Sequence, residues 1–313
     1  MTQTTKEIFE KYQIRKSKKQ RSAFIEYVKG VASNLGYEVK IEKGSFGSRN
    51  IVVGDVDKAK VLYTAHYDTC AKMIIPNFIT PKNFFVYMLY QFLLVGIFIA
   101  VSILTAVLSS FVLGLCGLDF ETTTEISKDI ALFVYFLMMF LLIFGPANKH
   151  TANDNTSGVT TLLDIMASLP NDQRDKVAFV FFDLEEAGLF GSSSFASNHK
   201  DIKNDRLVLN FDCVSDGKTM LFALKKSTRK YKDLLLHSFK STDTITVDVC
   251  DKGVFYPSDN ANFKGGIGVA ALKTHKPTKL LYMNRIHTSR DTAYDEENIA
   301  YLVDGAIKLA EIL

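Results

Sequence analysis

Residues 176–183 read KVAFVFFD, a short run of apolar and aromatic side chains that ends on an aspartate. Residues 60–68 read KVLYTAHYD, and residues 206–212 read RLVLNFD, so both have the same character. Near-continuous apolar runs of this length are typical of strands that are buried on both faces of a sheet. We therefore expect three buried strands in these segments.

The segments around these strands alternate between extended and helical patterns. Two more β-like runs, at 37–43 and 50–55, come before them and are separated by glycine and aspartate turns. Apolar residues recur at helical spacing in four ranges, which are 17–36, 157–169, 186–199 and 292–313. Strands that alternate with helices predict an α/β fold, a three-layer domain with a mostly parallel central sheet.

The overall composition excludes several classes of protein. The chain has 37 Lys and Arg against 34 Asp and Glu, so its charge gives no case for a nucleic-acid partner. Its four cysteines are scattered without CxxC pairs, which suggests neither a disulfide framework nor a thiolate zinc site and fits a reducing compartment. The first thirty residues are charged and polar, so we expect no cleavable signal peptide.

Two long apolar runs interrupt this globular pattern. The 36 residues between Lys82 and Asp119 carry no formal charge, and neither do the 19 residues between Asp129 and Lys149. Uncharged apolar runs of about 18 residues or more are typical of membrane helices. The alternative is a pair of core helices in a soluble protein, but such helices normally show a polar stripe and neither run has one.

The predicted sheet limits how this block can cross a bilayer. Strands before and after it must join one core, so an even number of crossings is required. One crossing at about 84–112 and a return at about 130–146 satisfy this requirement. We therefore expect a two-helix membrane hairpin, 71–150, inserted between the first part of the enzyme domain, 1–70, and the second part, 151–313.

The charges that flank the hairpin indicate its orientation. Lys72 and Lys82 precede it and Lys149 follows it, whereas four of the five charged residues in the connecting loop are acidic. Positive residues favour the cytoplasmic side of a membrane. The sequence therefore predicts an integral membrane protein that contacts the bilayer through 84–146 and has its globular domain in the cytoplasm.

Histidine and acidic residues follow the predicted strands at five places. These are His66-x-Asp68, Asn153-Asp154-Asn155 with Gly158, Glu185-Glu186-x-Gly188, Asp212, and His287-Thr288-x-x-Asp291. Each pattern alone has an ordinary explanation as a turn, a helix cap or a solvated helix start. The ordered set is harder to explain in that way, because ligands of an open α/β sheet bind beyond the carboxyl ends of its strands.

The residue types in these patterns suit zinc chemistry. Imidazole nitrogen and carboxylate oxygen are good zinc ligands, and two metals about 3.5–4 Å apart need a carboxylate to bridge them. A nearby carboxylate that holds no metal can move a proton, and the adjacent Glu185 and Glu186 can divide these duties. Asp68, two residues beyond His66, can accept its imidazole N–H and so orient the ring.

The same patterns resemble those of the M28 family of zinc exopeptidases, the group of bacterial leucyl-aminopeptidases and glutamate-carboxypeptidase-like enzymes. The family patterns HxD, D-N-x-S-G and E-E-x-G-x-x-G-S match here as HYD at 66–68, DNTSG at 154–158 and EEAGLFGS at 185–192. Asp212 and the segment HTSRDT at 287–292 complete the match. The resemblance covers residues 20–70 and 151–313.

This resemblance implies a site with two zinc ions. It implies that His66 and Asp212 hold one ion, that Glu186 and His287 hold the other, and that Asp154 bridges them. Glu185 is then the general base and acid. The resemblance also implies an often cis peptide bond after Asp154.

Two positions depart from the family pattern. The frequent S-D-H-x-x-F segment is SDNANF here, so Asn260 replaces a histidine that is not a metal ligand. Some members have a tyrosine before the final histidine to stabilise the oxyanion, and here that residue is Ile286. Tyr256 and Tyr282 are candidates to replace it.

The sequence thus predicts a membrane-anchored zinc aminopeptidase that hydrolyses the N-terminal bond of a peptide substrate by a two-metal mechanism. One alternative is a transferase similar to glutaminyl cyclases, with a single zinc, that forms pyroglutamyl ends. Another is a catalytically inactive membrane scaffold. A third keeps the enzyme soluble and uses the hairpin as a lid or a dimer contact.

Overall fold

The three apolar runs form strands whose residues are all buried, at Val61–His66, Val177–Phe182 and Leu207–Phe211. A computed structural model describes all residues, 1–313. The strands are β1 (Val39–Lys43), β2 (Arg49–Val53), β3 (Val61–His66), β4 (Val177–Phe182), β5 (Leu207–Phe211), β6 (Thr219–Ala223), β7 (Thr246–Cys250), β8 (Gly266–Thr274) and β9 (Leu281–Tyr282).

All nine strands belong to one sheet with the order β1-β2-β4-β3-β5-β8-β6-β7, and β9 pairs with β8. The four central strands β4, β3, β5 and β8 are parallel to one another. Towards the edges, β1 and β2, β2 and β4, β6 and β8, and β8 and β9 pair in antiparallel fashion. This arrangement brings the carboxyl ends of β3, β4 and β5 to the same edge of the sheet.

The prediction of a mostly parallel sheet is wrong, because the sheet is mixed. The connection from β1 to β2 spans only residues 44–48, and a parallel pairing needs a crossover of a dozen residues or more. Towards the opposite edge of the sheet, β6 and β8 pair in antiparallel fashion. The apolar pattern identified neither of these two strands. The α/β class with helices against a central sheet is correct.

Nine α-helices accompany the sheet. They are α1 (Gln3–Glu7), α2 (Lys18–Asn34), α3 (Phe84–Leu115), α4 (Phe120–Phe144), α5 (Gly158–Ser168), α6 (Phe190–Asn198), α7 (Lys200–Asp205), α8 (Lys232–Ser238) and α9 (Glu296–Ile312). Ser17 caps α2 with a capping box to Gln20, and Asp295 caps α9 by accepting two backbone N–H bonds. These caps place the starts of both helices inside the ranges predicted from apolar spacing.

Alternating side chains of the strands supply two hydrophobic layers. From β3, Val61, Tyr63 and Ala65 join the core beneath α2, α5, α8 and α9. Leu62 faces the opposite side, where it packs in a smaller core with Phe195 of α6 and other apolar residues. The sheet is therefore covered by helices on both faces, as a three-layer α/β domain requires.

The chain divides into two compact units. The first comprises residues 1–84 and 147–313 and contains the whole sheet. The second comprises residues 85–146 and consists of most of α3 together with α4. The insertion thus interrupts the first unit in sequence without interrupting its sheet.

The helices α3 and α4 are long and apolar enough to cross a membrane, judged by length and composition. In the most apolar window of each helix only 6% of the residues are buried, so their apolar side chains face outward. The few buried residues of the pair are the polar Ser102, Thr123 and Ser127. At 1.5 Å per residue the 32 residues of α3 extend about 48 Å, which exceeds the apolar thickness of a bilayer.

Candidate metal centre

The carboxyl edge of the sheet holds three of the five predicted segments. His66 is the last residue of β3, and Asp212 follows β5 directly. Glu185 and Glu186 lie three and four residues beyond β4, which pairs with β3. Because these strands are parallel neighbours, their ends bring the three segments together.

Asp154 lies between two histidines. Its Oδ1 is 3.3 Å from Nε2 of His66, and its Oδ2 is 3.0 Å from Nε2 of His287. On the outer side of His66, Oδ1 of Asp212 is 3.6 Å from the same Nε2. On the outer side of His287, Oε2 of Glu186 is 3.3 Å from its Nε2. Five side chains from separate segments therefore form two groups that share one carboxylate.

The donor atoms of each group lie within 4.8 Å of one another. One group contains His66, Asp154 and Asp212, and the other contains Asp154, Glu186 and His287 together with Cys70. Glu185 belongs to a third combination, with His66 and Glu186. The predicted ligands and Glu185 therefore all belong to one cluster.

Unpaired oxygen atoms test whether this cluster fits a cation. Oε1 of Glu186 and Oδ1 of Asp212 are buried and have no hydrogen-bond partner. A buried carboxylate oxygen without a partner is costly, and carboxylates crowded together repel one another. A divalent cation gives the unpaired oxygens a partner and also reduces the repulsion between the carboxylates. The mixed imidazole and carboxylate donors are those that zinc accepts, so the residues fit the predicted metal.

The electrostatics of the cluster show the same crowding. Burial raises the pKa of Glu186 to about 8, although His287 opposes the shift. Burial also raises the pKa of Glu185 well above its usual range. In His287 burial favours the neutral ring, but Glu186 and Asp154 outweigh it and raise the pKa to about 9. The buried carboxylates of the cluster therefore favour a positive charge beside them.

Backbone hydrogen bonds hold Asp154 in place. The peptide bond between Asp154 and Asn155 is cis, as the family resemblance implies. The carboxylate of Asp291 accepts hydrogen bonds from the backbone N–H groups of Asn153 at 2.9 Å and Asp154 at 3.0 Å. The side chain of Asn155 donates to the carbonyl of Phe211 at 3.0 Å. This loop is therefore fixed to the end of β5 and to the segment that carries His287.

Asp68 contacts the glutamate pair as well as His66. Its Oδ1 accepts a hydrogen bond from the backbone N–H of Glu185 at 3.0 Å, and its Oδ2 accepts one from Glu186 at 3.3 Å. Nδ1 of His66 is 3.2 Å from the backbone carbonyl of Asp68 and 3.5 Å from its carboxylate. Asp68 thus positions the backbone on which Glu185 and Glu186 stand, besides its place next to the imidazole.

The glycine spacing after the glutamate pair has a steric reason. Gly188 has φ of +127°, a conformation that favours glycine. A Cβ on Gly191 would come within 2.2 Å of the carbonyl oxygen of Asp183, so no side chain fits there. These two residues let the chain turn back from β4 into α6 and leave the glutamates at the edge of the sheet.

The two departures from the family pattern also have places in the structure. Tyr256 is buried, and its hydroxyl donates to the backbone carbonyl of Asp212 at 2.9 Å, whereas Tyr282 lies half-buried on β9. Asn260 is buried and its Oδ1 has no hydrogen-bond partner. Its neighbour Asp259 is fully buried, and both of its carboxylate oxygens also lack a partner.

Sequence reasoning missed three residues beside the centre. Cys70 belongs to one ligand group, but a single cysteine without a second one nearby in sequence carries no metal signal. Asp291 is the last acidic residue of the HTSRD pattern, and its position in that pattern does not reveal that it binds the backbone of Asp154. Arg15 is fully buried and donates to the carbonyl of Tyr67 and the hydroxyl of Thr156, although nothing around it in sequence marks it as buried.

Comparison with solved structures shows that the fold is shared with known enzymes. An aminopeptidase of Legionella pneumophila, LapA, superposes with a TM-score of 0.55 at 16% identity over 98% of this chain and 69% of that one. A leucine aminopeptidase precursor from Bacteroides thetaiotaomicron gives 0.56 at 15% identity over 98% and 93%. Porphyromonas gingivalis glutaminyl cyclase gives 0.59 at 14% identity over 99% and 95%. No curated protein sequence matches the chain.

A comparison with protein families shows to which family the chain belongs. The profile described as Peptidase family M28 matches residues 139–307, which is more than half of the chain. The match includes Asp154, both glutamates, Asp212 and His287. The chain therefore belongs to peptidase family M28, a family of zinc-dependent hydrolases.

Proposed function

We propose that the chain is a membrane-anchored aminopeptidase that holds two zinc ions at the edge of its sheet. The position of Asp154 carries this proposal, because its two carboxylate oxygens face two different histidines. A carboxylate in that position can bridge two metals. Asp212 and Glu186 then complete a separate ligand group on each side.

Each remaining residue of the centre has a role in this proposal. Zinc bound there would supply Lewis acidity for the scissile carbonyl and would lower the pKa of water. Glu185 accepts the proton of the attacking water and returns it to the leaving amine. Asp68 holds the backbone N–H groups of Glu185 and Glu186, so it fixes where the proton acceptor stands. Asp291 accepts a hydrogen bond from the backbone N–H of Asp154 and so fixes the position of that residue.

The acidic centre also suits the free N-terminus of a peptide. An α-ammonium group carries a positive charge, and Glu185, the carboxylate of this cluster to which the proposal gives no metal, is complementary to it. Two of the structural relatives described above are aminopeptidases. We therefore propose that the enzyme removes residues from the amino end and does not cleave within a chain.

Substitution of Glu185 tests the mechanism. Glu185→Gln keeps the shape of the side chain but removes the proton acceptor, so we expect kcat to fall by at least about 100-fold while zinc content stays near that of the wild type. The measurements are hydrolysis of a panel of aminoacyl and N-blocked peptides and metal analysis of the same samples. Only the peptides with a free amine should be cleaved.

Glu38→Gln is the matched control, because Glu38 is exposed on the way into β1. It should leave both kcat and zinc content unchanged. Wild-type kcat in Glu185→Gln would show that this residue is not the general base. Equal cleavage of free and N-blocked peptides would contradict the exopeptidase proposal while leaving the hydrolase intact.

A glutaminyl cyclase activity is the main competing function, since the Porphyromonas gingivalis glutaminyl cyclase shares this fold. Such an enzyme would form a pyroglutamyl end and release ammonia, using a single zinc. Incubation of glutamine-initiated peptides followed by mass spectrometry separates the two activities. Loss of the N-terminal residue supports the aminopeptidase, and loss of ammonia alone contradicts it. Protein without bound zinc would favour an inactive scaffold.

The two apolar helices indicate where in the cell the enzyme works. The helices α3 and α4 are apolar, outward-facing and long enough to span a bilayer. The positively charged Lys72, Lys82 and Lys149 flank the pair on the side of the enzyme unit. We propose that α3 and α4 cross the membrane as a hairpin and that the metal centre works in the cytoplasm.

A further inference from the structure

Cys70 is the one soft donor at the metal centre. Its Sγ lies within 4.8 Å of donor atoms of Asp154, Glu186 and His287. We propose that Cys70 is a fourth protein ligand, bound as a thiolate to the metal ion that Glu186 and His287 hold. This inference rests on the proposed two-metal centre and adds to it a ligand that makes the two metal positions unlike each other.

The spacing of the four donors fits one ion. Ligands at zinc distances of 2.0–2.3 Å in a tetrahedron are about 3.3–3.8 Å apart. The four atoms all lie within 4.8 Å of one another, so the widest pair has to close by at most about 1.5 Å to reach that spacing. Cys70 is 1% exposed, and Oε1 of Glu186 in the same group is buried without a hydrogen-bond partner. A cation at this point gives that oxygen a partner.

Hydrogen bonds connect the segment of Cys70 to the segment of His287. The backbone N–H of Asn148 donates to the carbonyl of Cys70 at 3.1 Å, and its side-chain amide donates to the carbonyl of Thr288 at 3.0 Å. The N–H of Met73 donates to the carbonyl of His287 at 2.7 Å. Thus the segments of the thiol and the imidazole are held beside each other by hydrogen bonds and not by packing alone.

The second buried cysteine provides a contrast. Cys213 is 2% exposed and lies next to Asp212, yet it belongs to none of the candidate ligand groups. Burial near the centre is therefore not sufficient to place a thiol among the donors. Most buried free cysteines act as small apolar side chains, and Cys213 fits that description better than Cys70 does.

A fourth ligand has a consequence for how the two ions are held. Four protein donors close a tetrahedral site, whereas His66, Asp154 and Asp212 leave a position open at the other. Glu185 groups with both His66 and Glu186, so it lies within reach of the open position. A thiolate also favours zinc over magnesium or manganese. We therefore expect one firmly held zinc at the Cys70 position and one exchangeable ion at the His66 position.

X-ray absorption at the zinc edge of the wild-type protein tests the ligand directly. With two zinc ions bound, a sulfur shell at about 2.3 Å should be present at half an atom per zinc on average. A spectrum fitted by nitrogen and oxygen shells alone overturns the proposal. This measurement needs no variant, so it holds even if a substitution at Cys70 prevents folding.

Cobalt substitution assigns the sulfur to one residue. The cobalt-loaded wild type should show a sulfur-to-cobalt charge-transfer band in the near ultraviolet, and Cys70→Ser should lose it. Cys213→Ser is the matched control and should keep the band. Loss in the control and retention in Cys70→Ser would overturn the assignment to Cys70.

Chelator treatment measures the expected asymmetry. The wild type should readily lose the zinc at the His66 position and keep the zinc at the Cys70 position. Cys70→Ser should bind the zinc at the Cys70 position about 10–100-fold more weakly than the wild type does. Equal retention by the two proteins counts against the proposal. Zinc with a sulfur ligand in a protein that hydrolyses no peptide would refute the aminopeptidase and not the ligand. Peptide hydrolysis by a protein without zinc–sulfur bonds would do the opposite.

Discussion

Asp154 has a position in the candidate centre that connects its two histidines. Each of its carboxylate oxygens faces one histidine, and Asp154 is shared by the group of His66 and Asp212 and the group of His287 and Glu186. Asp212 contacts only His66 among the two imidazoles. Both aspartates are almost fully buried, so they differ in the number of histidines that they contact and not in burial.

At the scale of these residues we predict different metal losses. Asp154→Asn should lower the affinity for both zinc ions, because an amide cannot bridge them as a carboxylate does. Asp212→Asn should weaken only one ion and leave about one zinc per chain. The measurement is metal content after dialysis against a range of free zinc concentrations.

Asp57→Asn serves as the control for this comparison, since Asp57 is an exposed aspartate outside the centre. It should bind zinc as the wild type does. If Asp154→Asn and Asp212→Asn each lost a single ion, Asp154 would be an ordinary ligand of one metal and the bridging role would be wrong.

At the scale of elements, an ion pair joins an edge strand to a helix on one face of the sheet. Nε2 of His199, at the end of α6, is 3.0 Å from a carboxylate oxygen of Glu42 on β1. The hydrogen bond to Glu42 raises the pKa of His199, although partial burial opposes it. The pairing therefore depends on the charge of the imidazole.

The sign of the pH dependence follows from this shift. A histidine whose pKa is higher in the folded than in the unfolded chain stabilises the fold fully below its unfolded pKa of about 6.5. The stabilisation is lost as the pH rises through the folded pKa. The melting temperature of the wild type should therefore exceed that of His199→Gln by more at about pH 5.5 than at about pH 8.5.

Two further variants make this prediction specific. Glu42→Gln removes the carboxylate, so replacing His199 in that background should give a difference that no longer changes with pH. His275→Gln is the control, since the ring of His275 bonds the hydroxyl of Thr278 and not a carboxylate. A difference between wild type and His199→Gln that is constant across pH would show that the ion pair contributes nothing.

At the scale of the whole molecule, the second unit gives a reporter for membrane topology. Cys116 is exposed and follows the last residue of α3, in the turn before α4. The other cysteines are buried or half-buried and lie in the first unit. A thiol reagent that cannot cross membranes should therefore react at the tip of the hairpin first.

We predict labelling of Cys116 from the non-cytoplasmic side. In right-side-out vesicles of the expression host, an impermeant maleimide should label the wild type and not Cys116→Ser. The protein should also stay in the membrane fraction after carbonate extraction. Labelling only in inverted vesicles would reverse the orientation, and release by carbonate without detergent would favour a soluble enzyme with the hairpin as a lid or dimer contact.

The central strands were predictable because burial on both faces leaves a direct trace in the sequence. Val61–His66, Val177–Phe182 and Leu207–Phe211 all fall within the quoted runs. Gly266–Thr274 is equally a part of the sheet, but its sequence shows no periodicity that predicts a strand. Its direction, and that of Thr219–Ala223 beside it, depend on long-range pairing, so the sheet proved to be mixed.

Helix boundaries show a similar division. The predicted helix at 186–199 begins only at Phe190, because Gly188 and Leu189 adopt positive φ and hold the chain in a turn after the glutamates. The helix that contains most of the predicted return crossing at 130–146 starts earlier, at Phe120, since Asp119 caps it. The charged first turns of α4 extend beyond the uncharged run from which the crossing was inferred.

The amino-acid sequence by itself determined the α/β class, the two apolar helices and the order of the candidate metal-binding residues. These features depend on local composition and spacing, which are written along the chain. Only the tertiary structure decided the strand directions, the placing of Asp154 between two histidines, and the presence of Cys70 beside Glu186 and His287. Such contacts join residues that are distant in sequence, and their geometry depends on how the whole sheet is paired.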